Sequence, residues 1–489
     1  MPDSLRSQTV RGLLWSFLES AGLKGVQFVV GVVLARVLFP EQFGLIGMLA
    51  IFMAIAQTFI DSGFGAALIQ KREVTATDMC SIFYFNIFIG LVSSGILCWV
   101  APWISDFYSQ PTLTPLTRAL SLILVINSFG LIQETILAKQ ISFKTNTQAS
   151  LVASVLSGVA GIILAATGFG VWSLVGQQIL SSLFRTLALW FLCSWRPAWV
   201  FSFKSLRKMF GFGSKMLISG LLNQIFSNSY LLIIGRLFSA TDLGFFTRAK
   251  TLEELPTHTL SWMVGRVTFP AFSKIQDDPA RLKSGLKKAL VLLVMVNFPM
   301  MICLLVIARP LVLLLLTEKW ADSIPYLQLF CLVGLMFPLH LINLNVLQAI
   351  GRSDLFLRLE IIKKVLIIIN ISITWQWGIS AMICGMIITS LISYYLNSYY
   401  IGTLINYVIR EQFWDFAGYL ILAALMAIVV YAVGLLSFPN LWSQLVAQLS
   451  VGMFSYVGLC RLFRLSDFMD VWQAGRNMFA SFYGKIPSN

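Results

Sequence analysis

Ionisable and amide side chains interrupt several long apolar stretches of this sequence, and their spacing places some of them on one helical face. Gln57 and Asp61 are four residues apart, and Lys250, Glu254 and His258 follow one another at the same interval. Residues four apart on a helix are neighbours. A charged side chain among Leu, Ile and Phe is costly in hydrocarbon, so it usually faces a cavity or a partner. These residues are therefore candidates for a polar cavity or for a contact that can be made and broken.

Depth along the predicted helices sorts the polar residues into two groups. One group would line a ligand cavity: Lys24, Gln27, Asn223, Gln224, Lys250, Glu254, His258 and His340. The other group would serve a cytoplasmic gate or ion coupling: Glu19, Gln57, Asp61, Glu134, Arg185 and Arg266. Opposite charge at matching depth favours Asp61 and Arg266 as partners in such a gate.

Several of these residues also have a purely structural interpretation. Arg185 and Arg266 are close enough to the predicted membrane surface for their cationic ends to reach water. Glu134 would simply end its helix. His258 and His340 would be core histidines if their ring nitrogens have hydrogen-bond partners. The sequence leaves both interpretations open for each of the five.

The elements that must carry these residues are membrane helices. Of the 489 residues, 58% are hydrophobic and only 11% are charged, and the mean hydropathy is +0.82. A soluble domain carries about 25% charged residues because its surface meets water. The composition excludes an ordinary soluble enzyme, a disordered chain and a secreted disulfide scaffold. It predicts an all-α, polytopic membrane protein.

About 20 mostly apolar residues are needed to cross the ~30 Å hydrocarbon layer of a bilayer. The fourteen stretches that meet this length are 13–36, 44–68, 79–103, 116–138, 148–167, 171–193, 212–235, 244–272, 287–307, 325–349, 360–378, 379–401, 417–436 and 443–463. Very short turns, at residues 168–170 and 375–378, divide the fifth from the sixth span and the eleventh from the twelfth. Either pair could be mistaken for one long helix.

The distribution of charge predicts the orientation of these spans. The 35 Lys and Arg against 21 Asp and Glu give a formal net charge of +14. If the N-terminus is cytoplasmic, most of the Lys and Arg fall on the cytoplasmic side, as the positive-inside rule requires. We therefore predict that both termini are cytoplasmic, and that the basic excess reflects topology and not nucleic-acid binding. The first apolar run contains Glu19 and Lys24 and has no small-residue cleavage site, so it is expected to be a retained helix.

The sequence gives no sign of a metal site, a disulfide framework or a nucleotide-binding loop. The seven cysteines form no CxxC pair, and the chain contains two histidines. We interpret the cysteines as packing residues. The absence of a GxxxxGK[ST] motif argues against direct drive by ATP. No cofactor is expected.

A shift of 200 residues superposes the sequence on itself without a gap. Residues 32–38 (VVLARVL) fall on residues 232–238 (LIIGRLF), and residues 42–44 (QFG) fall on residues 242–244 (DLG). The repeat therefore begins again at the seventh span, so each repeat holds six spans. Because six is an even number, both repeats have the same orientation in the membrane. The predicted divisions are an N-terminal six-helix lobe (1–194), an interfacial linker (195–211), a C-terminal six-helix lobe (212–401) and an additional helix pair with a cytoplasmic tail (402–489).

Four runs of the sequence point to a known family: 39–46 (FPEQFGLI), 59–71 (FIDSGFGAALIQK), 169–175 (FGVWSLV) and 265–278 (GRVTFPAFSKIQDD). They resemble the bacterial polysaccharide flippases of the colanic-acid and O-antigen exporter type. These flippases belong to the multidrug/oligosaccharidyl-lipid/polysaccharide exporter superfamily. The resemblance implies a V-shaped pair of six-helix bundles with an additional C-terminal helix pair.

The resemblance also implies a substrate, partners and a location. The substrate would be an undecaprenyl-pyrophosphate-linked oligosaccharide, carried across the bacterial inner membrane by alternating access and coupled to an ion such as H⁺ or Na⁺. Partners would be membrane lipids, a polysaccharide polymerase and other assembly proteins. Lys24 lies too deep in its span to reach water easily, and a cation there suits a pyrophosphate headgroup in a low-dielectric groove.

Three other functions remain open at this stage. Two belong to the same superfamily, a lipid II flippase and a multidrug exporter. The drug exporters typically have twelve spans, so the thirteenth and fourteenth spans count against that function. The third, a membrane polysaccharide polymerase or ligase, usually carries a large periplasmic loop, whereas the longest outside loop predicted here is 308–324.

Overall fold

The structure, a computed structural model, describes residues 22–61, 63–71, 73–140, 143–463, 465, 467–469 and 473. Helices make up most of this part of the chain, and it contains no strand. The predicted all-α class is therefore confirmed. The helices, in chain order, are α1 (22–37), α2 (Pro40–Asp61), α3 (Phe64–Gln70), α4 (Ala76–Tyr108), α5 (Leu113–Lys139), α6 (Phe143–Ala166), α7 (Val171–Leu192), α8 (Phe203–Ser227), α9 (Ser229–Leu237), α10 (Ala240–Lys274), α11 (Pro279–Val306), α12 (Ala308–Leu316), α13 (Ser323–Ala349), α14 (Ser353–Thr374), α15 (Gly378–Ile405), α16 (Ile409–Gly434) and α17 (Leu441–Leu462).

Thirteen of the predicted spans coincide with a helix or with two consecutive helices in the described residues. The first predicted span, 13–36, is helical from residue 22 onward, and its residues 13–21 lie outside the described residues. Nine segments of the described part are long and apolar enough to cross a membrane, or ten if α8 and α9 are one span. One of the nine, Ser353–Ile405, holds both α14 and α15. α7 and α10 are outside this set. α7 carries Arg185, and α10 carries Lys250, Glu254 and His258. The chain is a multi-pass membrane protein.

Short turns separate the helices at both places where two spans could have been taken for one. α6 ends at Ala166 and α7 begins at Val171, and between them Gly168 has φ of 88°. A 3₁₀ turn separates α14 from α15, and Gly378 there has φ of 87°. Side chains with a Cβ rarely adopt such positive φ values, so glycine is the residue that these turns require. Both predicted divisions are confirmed.

The structure departs from the predicted elements in two places. The helix of the seventh span begins at Phe203, inside the expected linker, because the Ser202 hydroxyl accepts a hydrogen bond from the Ser205 amide and caps it. That span is then bent by 42° where α8 meets α9, next to Asn228. The outside loop expected at 308–324 is largely helical, formed by α12 and a 3₁₀ turn at Glu318–Trp320.

The chain packs as two compact units, Met1–Thr247 and Arg248–Asn489. In the first unit, Phe64, Ile82, Ile132 and Leu206 belong to a core built from α3, α4, α5 and α8. In the second unit, a core forms mainly on α11, α13, α16 and α17. The predicted lobe boundaries at residues 194 and 212 stay a prediction.

The repeat seen in the sequence extends to the backbone. α1 is followed by a two-residue break and then by α2 at Pro40. α9 is followed by a break of the same length and then by α10 at Ala240, 200 residues later. The two breaks occupy equivalent positions, so both halves of the sequence use the same local structure where the repeat is clearest.

Candidate functional site

A polar cavity of about 410 Å³ lies in the first unit, between α2, α5 and α7. The residues that line it are Gln57, Asp61, Asn127, Gly130, Leu131, Glu134, Arg185, Thr186 and Leu189. Those on α5 lie three, four and seven residues after Asn127, which places them on one face of the helix. Four of the residues predicted for the gate, Gln57, Asp61, Glu134 and Arg185, thus meet around one cavity.

A chain of hydrogen bonds crosses the cavity from α5 to α2. Asn127 Nδ2 donates to Gln57 Oε1 at 2.9 Å, and Gln57 Nε2 donates to Asp61 Oδ1 at 3.1 Å. A glutamine amide can accept and donate at the same time, so Gln57 links the two helices. The chain orients the Asp61 carboxylate without placing a positive charge on it.

An ion pair forms the opposite side of the cavity. Arg185 Nη2 donates to Glu134 Oε1 at 2.6 Å, and the two side chains are 35% and 36% exposed. A pair this exposed contributes only about 0–1 kcal/mol to stability, so its main effect is to position the two groups. Arginine has five N–H donors, and the bond to Glu134 uses one of them. The guanidinium therefore has further donors for an anionic ligand.

Close packing of α5 against α7 holds this ion pair in place. Thr186 Oγ1 donates to the Ile126 carbonyl oxygen at 3.2 Å, and Trp190 Nε1 donates to the Phe129 carbonyl oxygen at 2.9 Å. A Cβ on Gly130 would lie 3.2 Å from Thr186 Oγ1, which is tighter than most real contacts. Gly130 thus permits the close approach that brings Arg185 to the cavity.

The chemistry available in the cavity is that of charges and hydrogen bonds. Asp61, Glu134 and Arg185 together supply two carboxylates and one guanidinium. Arg185 can bind an anion, and either carboxylate can bind a cation or a proton. Binding of one ion can therefore replace binding of the other. No group of three or more His, Cys, Asp or Glu that could hold a metal ion occurs in the described part of the chain.

The two remaining gate candidates are not described in the same detail. Glu19 lies outside the described residues. Arg266 lies on α10, but its side chain is outside the described part of the structure. The contact predicted between Asp61 and Arg266 therefore stays a prediction.

Lys250, Glu254 and His258, four residues apart on α10, form a chain of polar contacts in the second unit. Lys250 Nζ lies 3.6 Å from Glu254 Oε1, and His258 Nε2 lies 3.9 Å from the same oxygen. The His258 ring also packs against Phe337, with 4.4 Å between the ring centroids. These side chains are half-buried to exposed, as expected of residues beside a cavity or at a polar face. The side chains of Trp262 and Arg266 are outside the described part.

His340 has the environment of a core histidine. Its Nε2 is 2.9 Å from Ser390 Oγ, and its Nδ1 is 3.2 Å from Asn397 Nδ2. Each ring nitrogen thus has a hydrogen-bond partner, one on Ser390 and the other on Asn397. Both ring nitrogens are used by uncharged neighbours, which favours the structural interpretation of this residue.

The other predicted cavity residues of the first unit are separate from the polar cavity. Lys24 is half-buried on α1, and Gln27 and Asn223 are exposed. Gln224 Oε1 accepts a hydrogen bond from Asn228 Nδ2 at 3.3 Å. These four residues are not among those that line the cavity. Their role stays a prediction.

The sequence analysis missed Asn127 and Thr186 as members of the site. Asn127 precedes Glu134 by seven residues, which is two helical turns, so the same spacing argument could have identified it. Thr186 has no comparable signal, because a threonine hydroxyl in a helix commonly bonds to its own backbone. Its contact with the Ile126 carbonyl depends on the packing of two helices.

Fold and cavity together define a class: a helical, multi-pass membrane protein with a charged cavity among its spans. The chain belongs to the family of polysaccharide biosynthesis proteins, which it matches over residues 33–325. The family resemblance expected from the sequence is therefore confirmed.

Individual relatives cover most of the chain. It is 29% identical over 401 residues to the lipopolysaccharide biosynthesis protein WzxC of Escherichia coli strain K12, covering 81% of each protein. It is 27% identical over 341 residues to the succinoglycan biosynthesis transport protein ExoT of Rhizobium meliloti, covering 69% of each. Among solved structures, lipid II flippase MurJ in an inward closed conformation matches with a TM-score of 0.76, at 14% identity, over 91% of this chain and 98% of that one. At this identity the match shows the fold alone, and it confirms the predicted all-α, multi-pass membrane fold.

Proposed function

We propose that this protein is a flippase that moves undecaprenyl-pyrophosphate-linked oligosaccharide repeat units across a bacterial inner membrane. It works by alternating access of two lobes and is coupled to an ion gradient. Both termini are cytoplasmic in this proposal. Membership of the polysaccharide biosynthesis family and the transport protein ExoT among its relatives support the proposal.

The observation that carries the proposal is the charged cavity between α2, α5 and α7. Charged side chains are expensive inside a membrane protein and persist where they serve a pathway or a binding site. The substrate has an anionic pyrophosphate between a lipid tail and a sugar chain. Arg185 has donors beyond the one bonded to Glu134, and guanidinium groups bind phosphate oxygens strongly. Lys24 on α1 would supply a second cation along the path of the headgroup.

Alternating access requires contacts that form in one state and break in another. In this proposal Asp61, oriented by Gln57, pairs with Arg266 when the cytoplasmic side is closed. Glu134 releases Arg185 when the headgroup arrives, because phosphate oxygens compete for the same donors. Proton or Na⁺ binding at a carboxylate would weaken such pairs and so link their exchange to an ion gradient.

The same proposal treats the chain as a transporter and not as an enzyme. Its partners would be the lipid-linked substrate, membrane lipids, a polysaccharide polymerase and other assembly proteins. The alternative functions are a lipid II flippase and a multidrug exporter, and a polymerase or ligase is less well supported. The thirteenth and fourteenth spans, α16 and α17, favour the flippases over the twelve-span drug exporters.

The experiment is translocation of a defined undecaprenyl-pyrophosphate oligosaccharide in proteoliposomes. Arg185→Ala should lower the initial rate by about tenfold or more, since a hydrogen bond to a charged group contributes about 1.5–3 kcal/mol. Arg185→Lys should retain part of the rate. Arg118→Ala, which changes an exposed arginine outside the cavity, is the control and should leave the rate unchanged. Equal rates for Arg185→Ala and the control would contradict the proposed role of the cavity.

A further inference from the structure

The second unit buries a carboxyl group that the proposed transport path does not use. Glu253 on α10 is 6% exposed, and its Oε1 accepts a hydrogen bond from Thr257 Oγ1 at 2.9 Å. The carboxyl group also packs directly on the backbone of α13, because a Cβ on Gly334 would lie 2.1 Å from Glu253 Oε1. Its neighbour Glu254, in contrast, lies on the exposed face with Lys250 and His258.

Charged and titratable groups around Glu253 do not neutralise it in the described part of the chain. On α10, Lys250 is paired with Glu254 at 3.6 Å, and no salt bridge joins it to Glu253. On α13, the titratable neighbour is the buried thiol of Cys331. From α11, the neighbouring side chains that share its contacts are Asn297 and Met301, and both are uncharged.

A buried oxygen atom of a residue that shares the Gly334 contact lacks a hydrogen-bond partner among the described residues. Asn297 is fully buried, and its Oδ1 has no donor. Buried polar atoms normally have partners, so oxygen atoms left without one mark a place where a ligand or proton is expected.

A proline explains how the Asn297 amide is oriented. Pro338 has no N–H, so the carbonyl oxygen of Gly334, four residues earlier on α13, lacks its usual helical donor. Asn297 Nδ2 donates to this carbonyl oxygen at 3.1 Å. Because the amide nitrogen is held there, the amide oxygen Oδ1 is turned away from it. Glu253 and Asn297 therefore both contact Gly334, one at its Cα and the other at its carbonyl.

We propose that Glu253, Thr257 and Asn297 form a buried site for one monovalent cation, either a proton or Na⁺. An ionised carboxylate is costly in a protein interior unless a positive charge accompanies it. Sodium, a hard cation, would take carboxylate, hydroxyl and amide oxygens as ligands, as hard cations do in general. A proton would make the carboxyl group a donor, and an acceptor such as Asn297 Oδ1 could then be satisfied. That this site couples ion movement to transport rests on the proposed flippase function. That it binds a cation does not.

Thermal unfolding of the purified chain tests the site without substrate. The wild type is scanned in NaCl and in choline chloride at equal ionic strength, at alkaline pH, and then over a pH series without Na⁺. Binding to the folded state alone raises Tm in a saturable manner. A Na⁺ site predicts a Tm higher in NaCl than in choline chloride by roughly 2 °C or more. A proton site predicts no such difference but a Tm that falls as pH rises, because the buried carboxyl group must lose its proton.

The variants decide whether Glu253 is responsible. Glu253→Gln removes the charge at nearly constant shape and should abolish whichever dependence the wild type shows. Glu254→Gln, one residue away on the exposed face, should retain it. If Glu253→Gln does not fold, Thr257→Val serves instead, and it should shift the half-saturating Na⁺ concentration or the midpoint pH. A wild type that responds to neither ion, or a Glu253→Gln or Thr257→Val variant that responds as the wild type does, would overturn the proposal. A failed transport assay would not affect this result.

Discussion

Gly44 and Gly244 make the same backbone contact in opposite directions. A Cβ on Gly44 would lie 1.6 Å from the carbonyl oxygen of Ala240, and a Cβ on Gly244 would lie 2.0 Å from the carbonyl oxygen of Pro40. Pro40 and Ala240 are the first residues of α2 and α10. The first turns of two equivalent helices therefore cross with their backbones in contact, at the positions that the 200-residue repeat relates.

Alanine at either glycine should destabilise the protein. Gly44→Ala or Gly244→Ala forces a methyl group against a carbonyl oxygen, and overpacking of this kind costs about 1–3 kcal/mol. The control is Gly95→Ala on α4, where nothing lies within 4 Å of the added Cβ. That change should be neutral or slightly stabilising, because alanine favours helix over glycine. Thermal unfolding in detergent gives the comparison, and equal Tm values for all three variants would show that the helix crossing is not tightly packed.

Asn127 is predicted to act on transport through Asp61. Asn127→Leu removes the donor to Gln57, so the amide no longer orients the Asp61 carboxylate. We expect a translocation rate several-fold lower, with Tm nearly unchanged. In an Asp61→Asn background the same change should have little further effect, because contacting groups in one network are not additive. Independent effects of the two changes would argue that Asn127 acts in some other way.

Lys24 is predicted to contribute a cation to the path of the headgroup. Lys24→Ala should abolish or strongly weaken export while the protein remains folded and inserted in the membrane. Lys24→Arg should be milder because it keeps the positive charge. Export assays with matched protein levels make the test. Activity of Lys24→Ala equal to that of the wild type would show that this charge is not needed.

The topology predicts which engineered cysteines are accessible from each side. Cysteines at Ser109 and Ser437 should react from the periplasm, and a cysteine at Ser205 from the cytoplasm. The background should lack natural cysteines, since Cys384 is exposed and would also be labelled if it met water. Labelling of position 205 from the periplasm would refute both the topology and the positive-inside argument for it.

Much of the fold could be predicted because it depends on apolar length and on turn residues. The described residues of the predicted spans are helical, apart from short breaks, and the turns at Gly168 and Gly378 were evident from glycine and from the short spacing. The bend beside Asn228 and the helix α12 could not be predicted in this way. α12 occurs in a stretch as apolar as its surroundings, so hydropathy does not mark it. The polar residues around Asn228 lower the hydropathy there, but low hydropathy does not by itself predict a bend within a helix.

The site was predictable only where its geometry is local to one helix. Gln57 and Asp61 are four residues apart, and their hydrogen bond follows from that spacing. Arg185 and Glu134 are 51 residues apart, and their pairing depends on how closely α7 approaches α5 at Gly130. Packing between two helices is a tertiary property, and the spacing of residues along one helix does not predict it.

Glu253 also shows that sequence spacing does not predict contacts between helices, here for two adjacent residues. It is adjacent to Glu254 in sequence, yet it is 6% exposed whereas the Glu254 side chain is 40% exposed. The four-residue spacing of Lys250, Glu254 and His258 identified only the exposed face of α10. Which of two neighbouring acids is buried depends on the helices that pack against α10, and so it required the structure.

The most direct test of the proposed function compares substrates in one set of proteoliposomes containing the purified protein. The initial rate is measured for an undecaprenyl-pyrophosphate oligosaccharide, for lipid II and for a cationic drug, with protein-free vesicles as the blank. The account predicts rapid, protein-dependent translocation of the lipid-linked oligosaccharide, slower movement of lipid II and none of the drug above the blank. Translocation of the drug, or of lipid II alone, with no movement of the oligosaccharide above the blank would contradict it.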